Sequence, residues 1–206
     1  MATLAKNNSH QPIGDYIDLC HHYYAVATFS TSGLEKQVQS FKRSLRQSGR
    51  TNPRLFISSH RPAPDRPSAA VVKVRDVMAN CRKDSAYSDV VRKSILVTMY
   101  AEWDENFRQR VADSIGASTK DNVYCDVIGD IRYIRNWIVH RQSRPDYRLK
   151  KLKVIQWDLV EDEPMNITGD MFEHLMECIN EQFHVFNPKE KEDAELLATA
   201  KKDAVF

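Results

Sequence analysis

An arginine, an asparagine and a histidine stand at 135, 136 and 140 in the stretch Asp130-Ile-Arg-Tyr-Ile-Arg135-Asn136-Trp-Ile-Val-His140. Asn136 and His140 are four residues apart and share a helix face, and the Arg135 side chain is long enough to reach the same point in space. The set combines a cation, an amide and an imidazole that titrates near neutrality. Cleaving RNA without a metal asks for these groups. The 2′-oxygen attacks the adjacent phosphorus, so one group must take its proton, another must protonate the leaving 5′-oxygen, and a cation must meet the developing phosphorane charge. His140 suits the proton work. Arg135 suits the charge, because a guanidinium forks onto phosphate oxygens and stays protonated. Asn136 can hold the imidazole or a phosphate oxygen by a hydrogen bond. A single histidine cannot easily serve both sides of the phosphorus.

The scaffold under these residues is an amphipathic helix. Val127, Ile131, Ile134 and Ile138 recur at three- and four-residue spacing, which predicts a buried stripe on a helix from about 121 to 142, with Gly129 tolerated inside it and Pro145 beyond its end. Its natural partner is a helix over roughly 85–115, where Val91, Ile95, Met99, Trp103 and Phe107 step by four and Gly116 is placed to cap the C-terminus.

Ahead of these lies a heptad-like seam, Ile17, Cys20, Tyr24, Ala27, Thr31, Leu34, Val38, Phe41 and Leu45, which predicts a long N-terminal helix packed lengthwise on others. Ser30-Thr-Ser-Gly33 is a possible break, with Ser32 and Glu35 as a capping box, but the seam stays in phase across it. Residues 47–68 hold Gly49, Pro53, Pro62, Pro64 and Pro67 and read as a long loop, with Leu55-Phe-Ile57 as a local anchor. A short helix is predicted from 69 to 82, a strand or extended segment from 152 to 159, and a last helix after Thr168 with Met171, Phe172, Leu175, Ile179 and Phe183 inward. The tail after Pro188 has little to bury and is expected to be disordered. The expected fold class is therefore mainly all-α: an antiparallel helical bundle, a single domain over 1–187, and a charged tail over 188–206.

At 206 residues, 42% apolar and 28% charged, the chain has the composition of one globular domain, and no apolar run is long enough to span a bilayer. The N-terminus lacks the apolar core of a secretory signal, so a cytoplasmic address is expected. Cys20, Cys81, Cys125 and Cys178 are too scattered for a zinc knuckle or a disulfide framework. Cys20-His21-His22 points its histidines in different directions, so neither a metal nor a cofactor is expected. The absence of a Gly-rich phosphate loop and of a Gly-x-Ser-x-Gly elbow argues against nucleotide triphosphatase and esterase chemistry. A net charge of only +2 means that any nucleic-acid contact must be local. Arg132, one turn before Asn136, is a candidate phosphate contact. Arg141, Arg144, Arg148, Lys150, Lys151 and Lys153 either track an RNA backbone or form a solvated edge.

Arg135-Asn136-x3-His140 resembles the Arg-x4–6-His signature of the HEPN superfamily of metal-independent endoribonucleases. Upstream, Tyr100-Ala-Glu102-Trp103-Asp-Glu-Asn-Phe107 is similar to a Trp-containing helix preceding that signature in one branch, with Glu102 displaced to stand before Trp103. Downstream, Asn166-Ile-Thr-Gly-Asp-Met-Phe is similar to the turn and final helix that close the domain. The resemblance spans roughly 85–185. It implies a homodimer whose two signature helices line one cleft, products ending in 2′,3′-cyclic phosphate, and a role as a toxin or defence effector with an antitoxin or other neutralising partner. It gives Arg135, Asn136 and His140 catalytic roles; beside it, the position of Glu102 offers a possible orienting residue, and the charge pattern offers Arg132, Arg141 and Arg144 as RNA contacts. Two other readings stay open. In one, a non-catalytic HEPN-like module binds RNA or protein. In the other, the motif is purely structural: Arg135 pairs with Glu102 or Asp130, and His140 sits at the helix C-terminus, where the macrodipole favours a cation.

Overall fold

The seam of three- and four-residue steps closes into one uninterrupted helix, α1 (Gln11–Ser48), in a computed structural model that describes residues 11–49, 53–57 and 68–184. Ile17, Cys20, Ala27, Thr31 and Val38 are buried along it. The Ser30-Thr-Ser-Gly33 stretch does not break the helix, and Thr31 Oγ1 instead donates back to the Thr28 carbonyl. Such a bond satisfies a hydroxyl inside a helix without ending it.

The long N-terminal helix organises a mainly all-α fold. Tyr16 packs edge-on to Trp103 at 5.0 Å and to Phe183 at 5.9 Å between ring centroids, while Tyr24, farther along α1, stacks on Phe172. These contacts run α1 antiparallel to α3 (Ala86–Glu102) and to α6 (Gly169–His184). The predicted 85–115 helix exists as α3, a π-helical turn at Trp103–Phe107, and α4 (Arg108–Ile115). Successive steps of four through Met99, Trp103, Phe107 and Val111 drift about 40° each on a regular helix. The wider π turn absorbs the drift and keeps all four buried. Gly116, at φ +72°, closes α4, with its N–H on the Asp113 carbonyl and the Ala117 N–H on that of Ala112. This is the glycine-dependent termination expected there.

Two expectations need correction. Part of the predicted 47–68 loop is strand β1 (Arg54–Ile57), paired antiparallel with β2 (Ala70–Lys73) in the register Arg54↔Lys73 to Ile57↔Ala70. The predicted 69–82 helix therefore shrinks to α2 (Val74–Asn80). The β-branched pair Val71-Val72 favours the pleat over the helix, and the Val74 N–H bonds to the Pro53 carbonyl where the hairpin ends. Residues 50–52, 58–67 and the predicted disordered tail lie outside the described residues.

The helix that carries Arg135, Asn136 and His140 is α5 (Asp126–His140), shorter than predicted because 120–122 form a 3-10 turn and Gln142 and Ser143 have positive φ. Residues 152–159 form no strand: the chain bends at 153–154 and the Leu159 N–H turns back onto the Trp157 carbonyl. Their alternation is real, since Ile155 and Trp157 are buried, yet a carboxylate stands where a neighbouring strand would. Asp130, 2% exposed, accepts the backbone N–H groups of Lys153, Val154 and Ile155 at 2.7–3.0 Å. The next segment is tied down similarly: Asp89 accepts the Ile167 N–H, Arg92 donates to the Ile167 carbonyl, and Asp84 accepts the Gly169 N–H. Thr168 Oγ1 then caps α6 by accepting from the Met171 N–H.

All three N–H groups reach Oδ2 and only the Lys153 N–H also reaches Oδ1. An asparagine at 130 therefore keeps one acceptor but loses the charge that strengthens these bonds, and it sets its NH2 against the Lys153 N–H, donor to donor. Asp130→Asn is expected to lower unfolding free energy by about 2–3 kcal/mol, read as a reduced urea midpoint with an unchanged denaturant slope.

Candidate functional site

Helix α5 divides cleanly into two faces. Val127, Ile131, Ile134 and Trp137 are fully buried against α3 and the core. Arg132 and His140 are exposed, and Arg135 and Asn136 are half-buried on the remaining arc.

The three predicted residues come together. The Arg135 guanidinium, through one nitrogen, donates to Asn136 Oδ1 at 3.0 Å and lies 3.2 Å from His140 Nε2. Arginine has donors and no acceptor, so in this bond the imidazole accepts at Nε2 and carries its proton on Nδ1. The neutral ring thus has its lone pair aimed at a cation on the exposed face of the helix. An anion that drew the guanidinium away would leave that lone pair free to accept a proton.

Neither structural pairing considered for Arg135 is present. The Asp130 carboxylate is instead bonded to the 152–155 segment on the buried side of α5. Glu102 accepts from Asn106 Nδ2 on its own helix, and among the described residues it makes no hydrogen bond or ion pair with Arg135 or His140. An orienting role for Glu102 has no geometric support. His140 is the last residue of α5, where the helix dipole favours a cation.

The predicted RNA-contacting arginines separate. Arg132 stays exposed, its guanidinium 5.5 Å from the Tyr133 ring. Arg141 is held by Asp146 at 2.9 Å and Asp162 at 2.8 Å, and Arg144 donates to the Asp162 carbonyl. Both therefore spend guanidinium donors inside the fold. Arg148 is likewise held by Asp146, and Lys153 by Asp126.

Two residues beside the cluster hold the last turn of α5 in place. Trp137 is fully buried, with its indole N–H donating to Asp146 Oδ1 at 3.0 Å. Asp146, 4% exposed, also takes Arg141, the Arg148 guanidinium and the Arg148 backbone N–H. Its only sequence signal was a lone acid in a basic run. In the Cys20-His21-His22 segment, Cys20 is buried in the core and its thiol is pushed up to about 12 by that burial, while His21 bonds Asn180 Oδ1.

The Arg148 guanidinium, joined by its backbone N–H, Trp137 and Arg141, holds the Asp146 carboxyl well below the usual carboxylate range, against the opposing effect of burial. A depressed folded value gives stability that is complete above the unfolded value of about 3.9 and is lost as pH falls below it. Asp146→Asn is therefore expected to destabilise the chain by about 2 kcal/mol or more at pH 7. The deficit should shrink as pH drops from about 4 towards 2, which paired urea melts at both pH values would show.

Neither family models nor curated proteins nor solved structures gave a match to this chain.

Proposed function

We propose that this chain is a metal-independent endoribonuclease of the HEPN type, with Arg135, Asn136 and His140 at its chemical centre. The observation that carries the reading is the contact of the Arg135 guanidinium with His140 Nε2, 3.2 Å apart on an accessible helix face.

RNA approaching α5 offers its phosphate oxygens to Arg135, which exchanges its bond to the imidazole for a charge-assisted fork. His140 Nε2, now free, takes the 2′-hydroxyl proton as the 2′-oxygen attacks phosphorus. Arg135 meets the growing negative charge, and Asn136 holds the guanidinium in place through Oδ1. The bond from phosphorus to the 5′-oxygen breaks, that oxygen gains a proton, and the products end in a 2′,3′-cyclic phosphate and a 5′-hydroxyl. The proton comes from the protonated His140 imidazole of a second copy, its α5 facing the first across one cleft. Val139, 47% exposed beside His140, and Tyr147, 64% exposed, offer apolar surface for that homodimer. In this reading the chain works in the cytoplasm as a toxin or defence effector checked by a neutralising protein. The described residues include no helix long and apolar enough to cross a membrane.

The internal pairing of Arg141 and Arg144 leaves fewer free cations around the cluster, and of the second reading, a helical module that binds RNA or protein without cutting, it favours the protein-binding form. Cleavage of mixed cellular RNA in excess EDTA separates the two. The nuclease reading expects fragments ending in 2′,3′-cyclic phosphate from the wild type and a loss of about 10²–10⁴-fold in His140→Ala. Equal cleavage by a folded His140→Ala variant, or intact RNA after incubation with folded wild type, would overturn it.

A further inference from the structure

The exposed arc of α5 continues past Arg135 towards the helix N-terminus, and there it borders a cavity. Between α3 and α5 a slot of about 150 Å³ is lined by Tyr100, Trp103, Tyr124, Gly129 and Arg132, with Arg108 at its side. Drug-sized ligands occupy sites of roughly 300–1,000 Å³, so this one is scaled for a single flat ring. Three aromatic rings line it, with Val123, Cys125 and Ile128 completing the apolar wall. Tyr124, 84% exposed, stands at the mouth, and Trp103, 2% exposed, forms part of the interior.

Gly129 explains why the slot is open. Glycine weakens a helix interior, yet nothing in the packing calls for it here: a Cβ at 129 would meet no atom within 4 Å, and its φ is not in the left-handed region. What the missing side chain provides is space on the wall of the slot. The π-helical turn at Trp103–Phe107 begins on the opposite wall, a distortion often found at functional sites.

The electrostatics select the ligand. The Tyr100 phenol is pushed up by burial and by Asp104 against the opposing pull of Arg132, Arg108 and Arg135, and two of those guanidinium groups, Arg108 and Arg132, line the slot with it. Arg108 is paired with Asp104 and Asp121. Among the described residues no carboxylate lies within ion-pair distance of Arg132, which stands one turn from Asn136. Seven residues separate Gly129 from Asn136, about 10 Å along the axis at 1.5 Å per residue. That is roughly the reach of one or two nucleotides in a splayed single strand.

We propose that this slot binds one nucleobase of a single-stranded RNA, stacked against Tyr124 and Tyr100, while Arg132 holds the phosphate that links it to the nucleotide at Arg135 and His140. The inference rests on the RNA-cleaving reading and adds to it a base-binding subsite next to the scissile phosphate. Aromatic stacking accepts any base, so the slot fixes the register of the strand more than its sequence.

The test is fluorescence anisotropy of the full chain with two labelled eight-nucleotide probes. One is a mixed-sequence 2′-O-methyl oligoribonucleotide, which binds but lacks the attacking hydroxyl. The other has the same length and is abasic throughout. Gly129→Leu fills the slot with a better helix former, and Tyr124→Ala removes a ring too exposed to matter to folding. Wild type should prefer the base-bearing probe. Gly129→Leu should bind it about tenfold more weakly with no fall in Tm, Tyr124→Ala should also bind it more weakly, and neither should change affinity for the abasic probe. If wild type prefers the base-bearing probe and both variants bind it equally well, or if wild type does not distinguish the probes, the slot is not a base site while the nuclease reading stands. Failure of wild type to bind either probe would instead overturn the RNA reading itself.

Discussion

The contact between the buried Asp146 carboxylate and the Trp137 indole is the constraint on which the candidate site depends. Trp137 lies on the core face of α5, between Asn136 and the last turn that ends in His140, and its N–H must find a partner on burial. Asp146 supplies one at 3.0 Å and is kept ionised by Arg148 and Arg141. The indole thereby fixes the rotation of the last turn of α5, and the rotation decides that Arg135, Asn136 and His140 share the open side. The same carboxylate accepts the Arg148 N–H and starts the 3-10 turn at Tyr147–Lys151, so the chain leaving the site is fixed by the group that holds the helix.

Asp130, nearer the start of α5, anchors the helix in the same manner. It satisfies a run of backbone N–H groups in the 152–155 segment, which would otherwise be buried without partners. Both acids are poor candidates for chemistry because their lone pairs are committed. They separate a structural side of α5, where carboxylates bind donors in the fold, from an open side, where a guanidinium is shared between an amide and an imidazole. A guanidinium held by such weak acceptors is readily recruited by phosphate, whereas Arg141 and Arg148, held by Asp146, are not.

Much of the fold was legible in the sequence because it rests on local periodicity. The α1 seam, the inward face of α6, the Gly116 stop and the convergence of Arg135, Asn136 and His140 all follow from helical spacing. The errors come from partners distant in sequence. Lys153–Ile155 alternates like a strand, but its N–H groups end on a side chain 23–25 residues upstream. The basic run after His140 looked free because Asp162, which faces Arg141 and Arg144, lies in another loop. The β1–β2 hairpin escaped notice because its strands are four residues long, largely exposed, and set among prolines and arginines. The slot beside Arg132 is a property of two helices and a missing side chain, and no motif announces it.

The central claim is that Arg135 holds His140 as a neutral acceptor at Nε2. Long-range proton–nitrogen NMR of the imidazoles reports it directly, with His140 assigned by its absence in His140→Gln. The account predicts that the neutral His140 ring is protonated at Nδ1 and bare at Nε2, and that Arg135→Ala shifts this balance towards the Nε2-protonated form. A ring protonated mainly at Nε2 in the wild type, with the same spectrum in Arg135→Ala, would contradict it.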